Sequence, residues 1–534
     1  MRALHQALFL SALGAAALAA PAHAEKQISP YIEVGQVLDA DLKNGGDVLT
    51  YSYVSAGIDA TIRNSRTEVQ INYNYQRRFD YEGDVSADDI HTGIAVINHQ
   101  LIPNLLTLEA GGLAARARTD IRGAADNALG ANSNNISQVY SAFAGPTLAT
   151  QIGGLDVGAA YRFGYTKVED SQTIFLPPGQ ERLDLYDDST AHMATASIGM
   201  RPDILPFGWQ VSGGWEQERA GQLKQRFESK FVRGDVTVPL TPTLAVVGGV
   251  GYEDMEISQK DALRDVNGDP VVDNNGRFVT DPASPRQIAY DQDGLIYDAG
   301  VMWRPSPRTQ LEARAGYRYG STTYFGSFSH QLSPAASMSV LVYDGVESFG
   351  RLLEDNISRL PTSFNVADRR FGGAFNGCVF GRNGGAGGCM DDAFQSINTA
   401  NFRNRGVTAM ISAQRGQTAL GLGLGYAQRR YFAPRFGNAF TVDGVKDKSW
   451  FAQAYYAYDI NENSGVNLDA YLDYYQSGLA GAGDVIGTGL SGTYWHNFNR
   501  HLSASATGQV YSSDQEGADS SLIGSLLVGM RLQY

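Results

Sequence analysis

Between Arg66 and Phe79 apolar and polar side chains alternate: Val69, Ile71, Tyr73 and Tyr75 fall on one parity, and Gln70, Asn72, Asn74 and Gln76 on the other. The scheme returns from Gly465 to Ser477, where Val466, Leu468, Ala470 and Leu472 oppose Asn467, Asp469 and Asp473. From Ala419 to Ala427, Leu420, Leu422, Leu424 and Tyr426 oppose Gly421, Gly423 and Gly425. Strict alternation is the pattern of a β-strand between two different environments. Beyond the N-terminal leader no useful length reads with a period of 3.6, so the chain is predicted to be all-β, with about 22 candidate strands.

The same period serves a soluble sandwich and a membrane barrel, and the connections separate the two. After even-numbered strands the links are tight, as at Asn64-Ser65, Pro103-Asn104, Gly153-Gly154 and Gly416-Gln417. The long links, 119–135, 170–188, 259–294, 344–404 and 433–447, all follow odd-numbered strands. Short turns at one end and long loops at the other are the signature of a transmembrane antiparallel up-and-down β-barrel with extracellular loops and periplasmic termini. A count as low as 18 fits the same pattern, since boundaries read from sequence drift by about 2–4 residues. Patterning begins near Tyr31, which predicts a single barrel over 25–534 with no plug domain. The final alternation, Leu526, Val528, Met530, Leu532 and Tyr534, is the strand expected to engage the barrel assembly machinery.

The N-terminus changes the compartment. Arg2 and His5 precede an apolar run from Ala7 to Ala20, and Ala22-x-Ala24 precedes Glu25. This is a secretory leader over 1–24, too short to span a bilayer as a helix. Composition then agrees with a wall facing lipid: 18% of residues are charged and 61 of 534 are Gly, while ordinary globular domains carry roughly 25% charge and roughly 7% Gly. A formal charge of −14 argues against nucleic acid as a partner. Outer-membrane lipids are the expected surroundings in a Gram-negative outer membrane, with Tyr73, Tyr75, Phe79, Tyr81, Tyr455, Tyr456 and Tyr458 suited to the interfacial girdles.

If the apolar parity faces lipid, the other parity lines the lumen, and Asp59, Arg78, Arg162, Glu312, Arg314 and Arg318 fall on it. Glu312, Arg314 and Arg318 share one strand face, an arrangement that tunes solute selectivity in barrels and suggests a weak preference for anions; pairing across the lumen is the plainer reading. The two cysteines, Cys378 and Cys389, lie eleven apart in a Gly-rich stretch and are expected to form a disulfide, because no further thiol or His nearby completes a metal site. The segment Asp344 to Asn404 that carries them is predicted to fold over or into the mouth. Asp265-Val266-Asn267-Gly268-Asp269 starts like a calcium loop but has Pro270 at position six and Gly276 at position twelve, so it reads as a solvated acidic loop. His91, His99, His192, His330, His496 and His501 sit in no catalytic or metal motif. No catalytic residue, metal or cofactor is predicted, and the chain is read as not an enzyme.

Three stretches carry a wider likeness: Phe328-Ser329-His330-Gln331-Leu332-Ser333-Pro334 leading to Ser337-Met338-Ser339, Asn401-Phe402-Arg403-Asn404-Arg405-Gly406, and the strand pair from Tyr51 to Tyr81. With them the chain resembles outer-membrane β-barrel proteins associated with exopolysaccharide and exosortase (PEP-CTERM) loci. The resemblance implies a part in exopolysaccharide production or passage across the outer membrane, with polysaccharide as partner, and transfers no site residue. A general or solute-selective porin and an adhesive surface barrel without transport are the alternatives. A TonB-dependent receptor requires a plug domain ahead of its first strand.

Overall fold

The computed structural model describes residues 25–534 apart from 44–47, 82–88, 120–135, 170–181, 203–204, 367–376, 383–384, 437–439 and 518–519. The leader expected at 1–24 and the bulk of the connections at 119–135 and 170–188 lie outside the described residues.

Twenty-two strands form one antiparallel sheet, each paired to its neighbour along the chain. The first, β1 (Glu25–Asp41), pairs with β2 (Val48–Arg63) on one side and with the last, β25 (Ser521–Gln533), on the other. The Tyr31↔Gln533 to Asp41↔Ile523 register joins the two ends, so the sheet is a closed ring with no free edge. Turn chemistry holds the tight end together: Gly153 and Gly154 both take positive φ, 57° and 88°, as a two-residue hairpin with right-handed strand twist requires.

Expected strand starts and observed ones agree within a few residues except that β1 starts at Glu25, six residues ahead of Tyr31, and two further offsets are informative. The strand expected from Leu223 starts at Arg226, because Leu223 and Lys224 hold positive φ in a short 3-10 turn. The strand expected from Leu295 is β12 (Gln287–Ser306), which begins eight residues earlier and pairs throughout with β11 (Leu244–Gln259). The connection expected at 259–294 is therefore 260–286. Within it Asp265 caps its own turn, accepting from the amides of Asn267 and Asp269 through Oδ1.

The two faces of the ring differ as alternation requires. On β10 (Arg226–Thr241) Val232, Val236, Val238 and Leu240 are exposed, while Phe227 and Ser229 on the other parity are buried. Aromatic and His side chains pair near both ends of the outward face: Tyr73 donates to or accepts from His91 Nδ1 at 2.6 Å and Trp450 stacks on Tyr474 and tilts against Tyr426 on the loop side, while Phe328 stacks on His330 and His496 meets Phe498 edge-on beside the tight turns. Tyr455 does not belong with them. It faces inward and stacks on Phe380 at 5.8 Å, since neighbouring residues of a strand point to opposite faces and Tyr456 takes the outer one.

Candidate functional site: the segment inside the ring

Between β15 (Ala336–Glu347) and β19 (Asn401–Arg415), adjacent in the ring, the chain leaves the wall and builds a small body of its own. It comprises helix α1 (Phe349–Ser358), three short strands β16 (Phe364–Val366), β17 (Cys378–Gly381) and β18 (Gly387–Cys389), and the helical turn α2 (Asp391–Phe394). Ser348 caps α1 through its Oγ, which accepts from the amide of Arg351 at 3.2 Å. Phe349, Leu352, Leu353 and Ile357 recur at helical spacing and are buried.

This body touches walls that are far apart around the ring. On β3 (Thr67–Asp80) the Gln70 side-chain amide satisfies both backbone groups of Phe364, donating to its carbonyl at 2.6 Å and accepting from its amide at 2.8 Å. Arg162 on β7 (Leu155–Glu169) pairs with Asp355 at 3.0 Å. On β9 (Gly208–Ala220), Glu216 and Glu218 receive Arg351 at 2.9 and 3.1 Å. Far round the wall, Gln453 on β21 (Lys446–Asn461) accepts from the Cys378 amide at 2.6 Å. A segment that reaches β3, β7, β9 and β21 of one closed ring at once lies inside it. The expectation that 344–404 folds over or into the mouth is met by its described residues, which cross the interior of the ring between β15 and β19.

The inner wall is shaped to receive it. Ile94, Val96, Leu113, Val139 and Phe143 pack with Leu352, Leu353, Ile357, Phe364, Val379 and Met390 in one buried cluster, so the inner face here is apolar rather than wet. Where the body presses closest, the wall is glycine. A Cβ at Gly164 would overlap the Glu354 carboxylate, one at Gly421 the Phe380 ring, and one at Gly423 the sulfurs of both cysteines. Cys378 and Cys389 are joined by a disulfide that closes the β17–β18 hairpin, seated on β20 (Thr418–Phe432). Gly421 and Gly423, legible in the sequence as one parity of a strand, are the floor of that seat, while Gly425 on the same parity leaves room for Phe451 of β21 (Lys446–Asn461).

Of the six charges assigned to the lumen, the structure brings two together. Glu312 accepts from Arg314 Nε at 2.7 Å, and Arg314 also reaches Asp235 at 2.8 Å and Asp298 at 3.3 Å, in a cluster that Arg233 completes. Arg318 stands apart and pairs with the fully buried Glu253 through Nε at 2.9 Å. Asp59 accepts from Asn72 at 2.5 Å with Arg531 at 3.6 Å, and Arg78 is buried with its guanidinium 5.5 Å from the Tyr51 ring centre. Of the six, Arg162 pairs with the inserted body, through Asp355. Beside that body lies a cavity of about 440 Å³, lined among others by Glu216, Phe227, Arg318, Glu347, Arg359 and Met410.

Sequence reasoning missed Arg351, Glu216, Glu218, Gln70 and Gln453. Gln70, Glu216, Glu218 and Gln453 sit at ordinary strand positions and Arg351 in a short helix, and only the fold brings wall and insertion together. Outside the ring a second contact fixes the outer loops. Asp184 accepts from the amides of Phe278 and Leu185 at 2.8 and 2.9 Å, and Arg277 pairs with Asp187 at 3.1 Å. Burial pushes the Asp184 carboxyl up to about 7 despite those two amides.

No protein-family model and no curated protein matches the chain. Among solved structures, it is similar to the FrpB iron transporter of Neisseria meningitidis, F5-1 variant, with 10% identity and a TM-score of 0.44 over 95% of this chain and 82% of that one. The siderophore receptor PiuA of Acinetobacter baumannii matches with 9% identity and 0.44 over 94% and 82%, and OccAB4 of the same organism with 10% and 0.30 over 96% and 98%. With TM-scores below 0.5 and identities near 10%, these likenesses assign neither a family nor a ligand to the chain.

Proposed function

We propose that the chain is a transport barrel of the outer membrane whose lumen is closed by its own 348–400 segment. The single observation that carries this is the insertion spanning the ring from Gln70 to Gln453. A membrane setting accounts for the outward face. The exposed side chains from Val232 to Leu240 cover about 26 Å along the strand. A tilt of 35–45° projects that to about 20 Å, close to the apolar band of about 25 Å in outer-membrane barrels. Water would not tolerate so continuous an exposed aliphatic surface on a monomer, and a closed sheet leaves no backbone group unpaired in lipid.

A body packed this closely makes the barrel a gated device rather than a permanently open porin, since passage of any sizeable solute needs 348–400 to move. Exopolysaccharide is the cargo or product that the resemblance to barrels of exopolysaccharide loci supports. The test has two arms. Purified protein in planar bilayers is expected to show rare, brief openings; steady wide conductance would favour the porin. A deletion strain is expected to lose secreted polysaccharide; unchanged polysaccharide would remove that cargo and leave the gated barrel.

A further inference from the structure

Helix α1 carries more negative charge into the ring than its surroundings neutralise. Arg351 is shared among Glu216 at 2.9 Å, Glu218 at 3.1 Å and Glu347 at 3.9 Å, and Arg162 is used by Asp355. Glu354, one turn after Arg351, is 4% exposed, and among the described residues its buried Oε1 has no hydrogen-bond partner and its carboxylate no ion pair. Its oxygens lie on Gly164 of β7, where a Cβ atom would overlap them. Glu218 has an unpaired buried oxygen of its own nearby. The groups that face the helix from its neighbours are Glu109 on β5 (Leu106–Arg118), Arg162 on β7, Tyr186 from the loop before β8 (Asp188–Met200), Glu216 and Glu218 on β9, and Glu347 on β15. Asp392 on α2 takes Asn356 of the helix at 3.0 Å, and Arg359 at its C-terminus donates to Asn356 at 2.7 Å. None of these cations forms an ion pair with Glu354, and Arg351, one turn away and shared among three carboxylates, offsets its burial only in part.

An ionised carboxylate in that position would be buried without compensation, a state that proteins avoid by holding a proton. Burial first, then the negative neighbours Glu218 and Asp355, raise the Glu354 carboxyl well above the ordinary carboxylate range. We propose that Glu354 is a proton-operated latch: α1 is seated with its carboxyl protonated, and loss of that proton lifts the helix from Gly164 and Glu218 and unseats the inserted body. This rests on the gated-barrel reading for its consequence in transport, but not for its existence.

The sign follows from linkage. The seated state binds the proton more tightly than the unseated one, so seating is strongest at low pH and weakens as pH rises above the free carboxyl's value, by up to about tenfold per pH unit for one proton. Hydrogen exchange of the α1 amides in the full chain in detergent micelles, corrected for intrinsic exchange, measures this between pH 5 and 8.5. The opening constant of 349–358 is expected to rise with pH in the native chain and to lose that rise in Glu354→Gln. Glu218→Gln, which removes the nearest repelling charge, is expected to keep the rise but move it to lower pH. A native profile that is flat, or one of equal slope in Glu354→Gln, would overturn the latch. Bilayer conductance measured in parallel separates the two ideas: α1 that opens with pH while current stays at zero keeps the latch and defeats the transport reading.

Discussion

A Cβ atom at Gly423 would fall on the Sγ of Cys378, so the wall and the disulfide hairpin fit only because that strand position has no side chain. Alanine there sets two effects against each other. Strand glycine replaced by alanine ordinarily stabilises by roughly 0.5–1 kcal/mol through backbone entropy, whereas overpacking a filled site costs about 1–3 kcal/mol. The contact decides the sign. Gly423→Ala is expected to loosen the hairpin, and Gly508→Ala, where nothing lies within 4 Å, to be neutral or stabilising. Denaturant midpoints of the two variants, with hydrogen exchange across 378–389, check it.

The disulfide itself closes a short loop, eleven residues apart in sequence. Chain entropy assigns such a closure about 3 kcal/mol. Cys378→Ser with Cys389→Ser is expected to raise exchange in β17 and β18 while the ring strands keep their protection. Equal loss of protection in β19–β21 would mean that the hairpin supports the wall rather than rests on it.

Arg351 is the cation the interior can least lose. Its guanidinium is held by Glu216 and Glu218 and lies 3.6 Å from the centre of the Phe227 ring. Removing one partner of a buried ion pair leaves charge uncompensated, at a cost of about 3–5 kcal/mol. Arg351→Met is therefore expected to unseat α1, and Arg351→Lys to rescue it poorly, since one ammonium cannot serve both carboxylates in the forked geometry. Protection of the α1 amides reads out both variants.

These predictions turn on features of unequal visibility in the sequence. The ring was legible because alternation and turn length are local: the strands at Thr418 and Val485 begin where the pattern places them. Where the backbone departs from regularity, as at Leu223 with φ of 47°, polarity carries no warning. Helix α1 left a readable trace that a search for long helical periods passes over: Phe349, Leu352, Leu353 and Ile357 on one face after Ser348 as cap, a run of only ten residues. Glycines at 421, 423 and 425 declared a parity but not their purpose. The pairing of Arg351 with Glu218, 133 residues away, was invisible because strand order sets it, not spacing.

The outer loops should respond to pH in their own way. With the Asp184 carboxyl held near 7 in the docked state and ordinary when free, the docked state is the one that keeps the proton. Docking of 260–286 on 182–187 is then strongest at acid pH, weakens as pH rises from about 4 to about 7, and is flat above that. Protease cleavage at Arg277 is expected to be faster at pH 8 than at pH 5 relative to an unstructured peptide of the same sequence. Asp184→Asn should abolish the difference, and a difference that survives it would place the titration elsewhere.

The central claim is that 348–400 closes the ring. Glu347 and Phe402 are register partners on adjacent strands, so a short Gly/Ser linker can replace the segment between them without straining the wall. Conductance of the native chain and of this variant in the same planar bilayers is the most direct measurement. The account predicts a near-silent native chain and a large, steady current through the variant. Equal conductance in the two, whether both open or both closed, would contradict it.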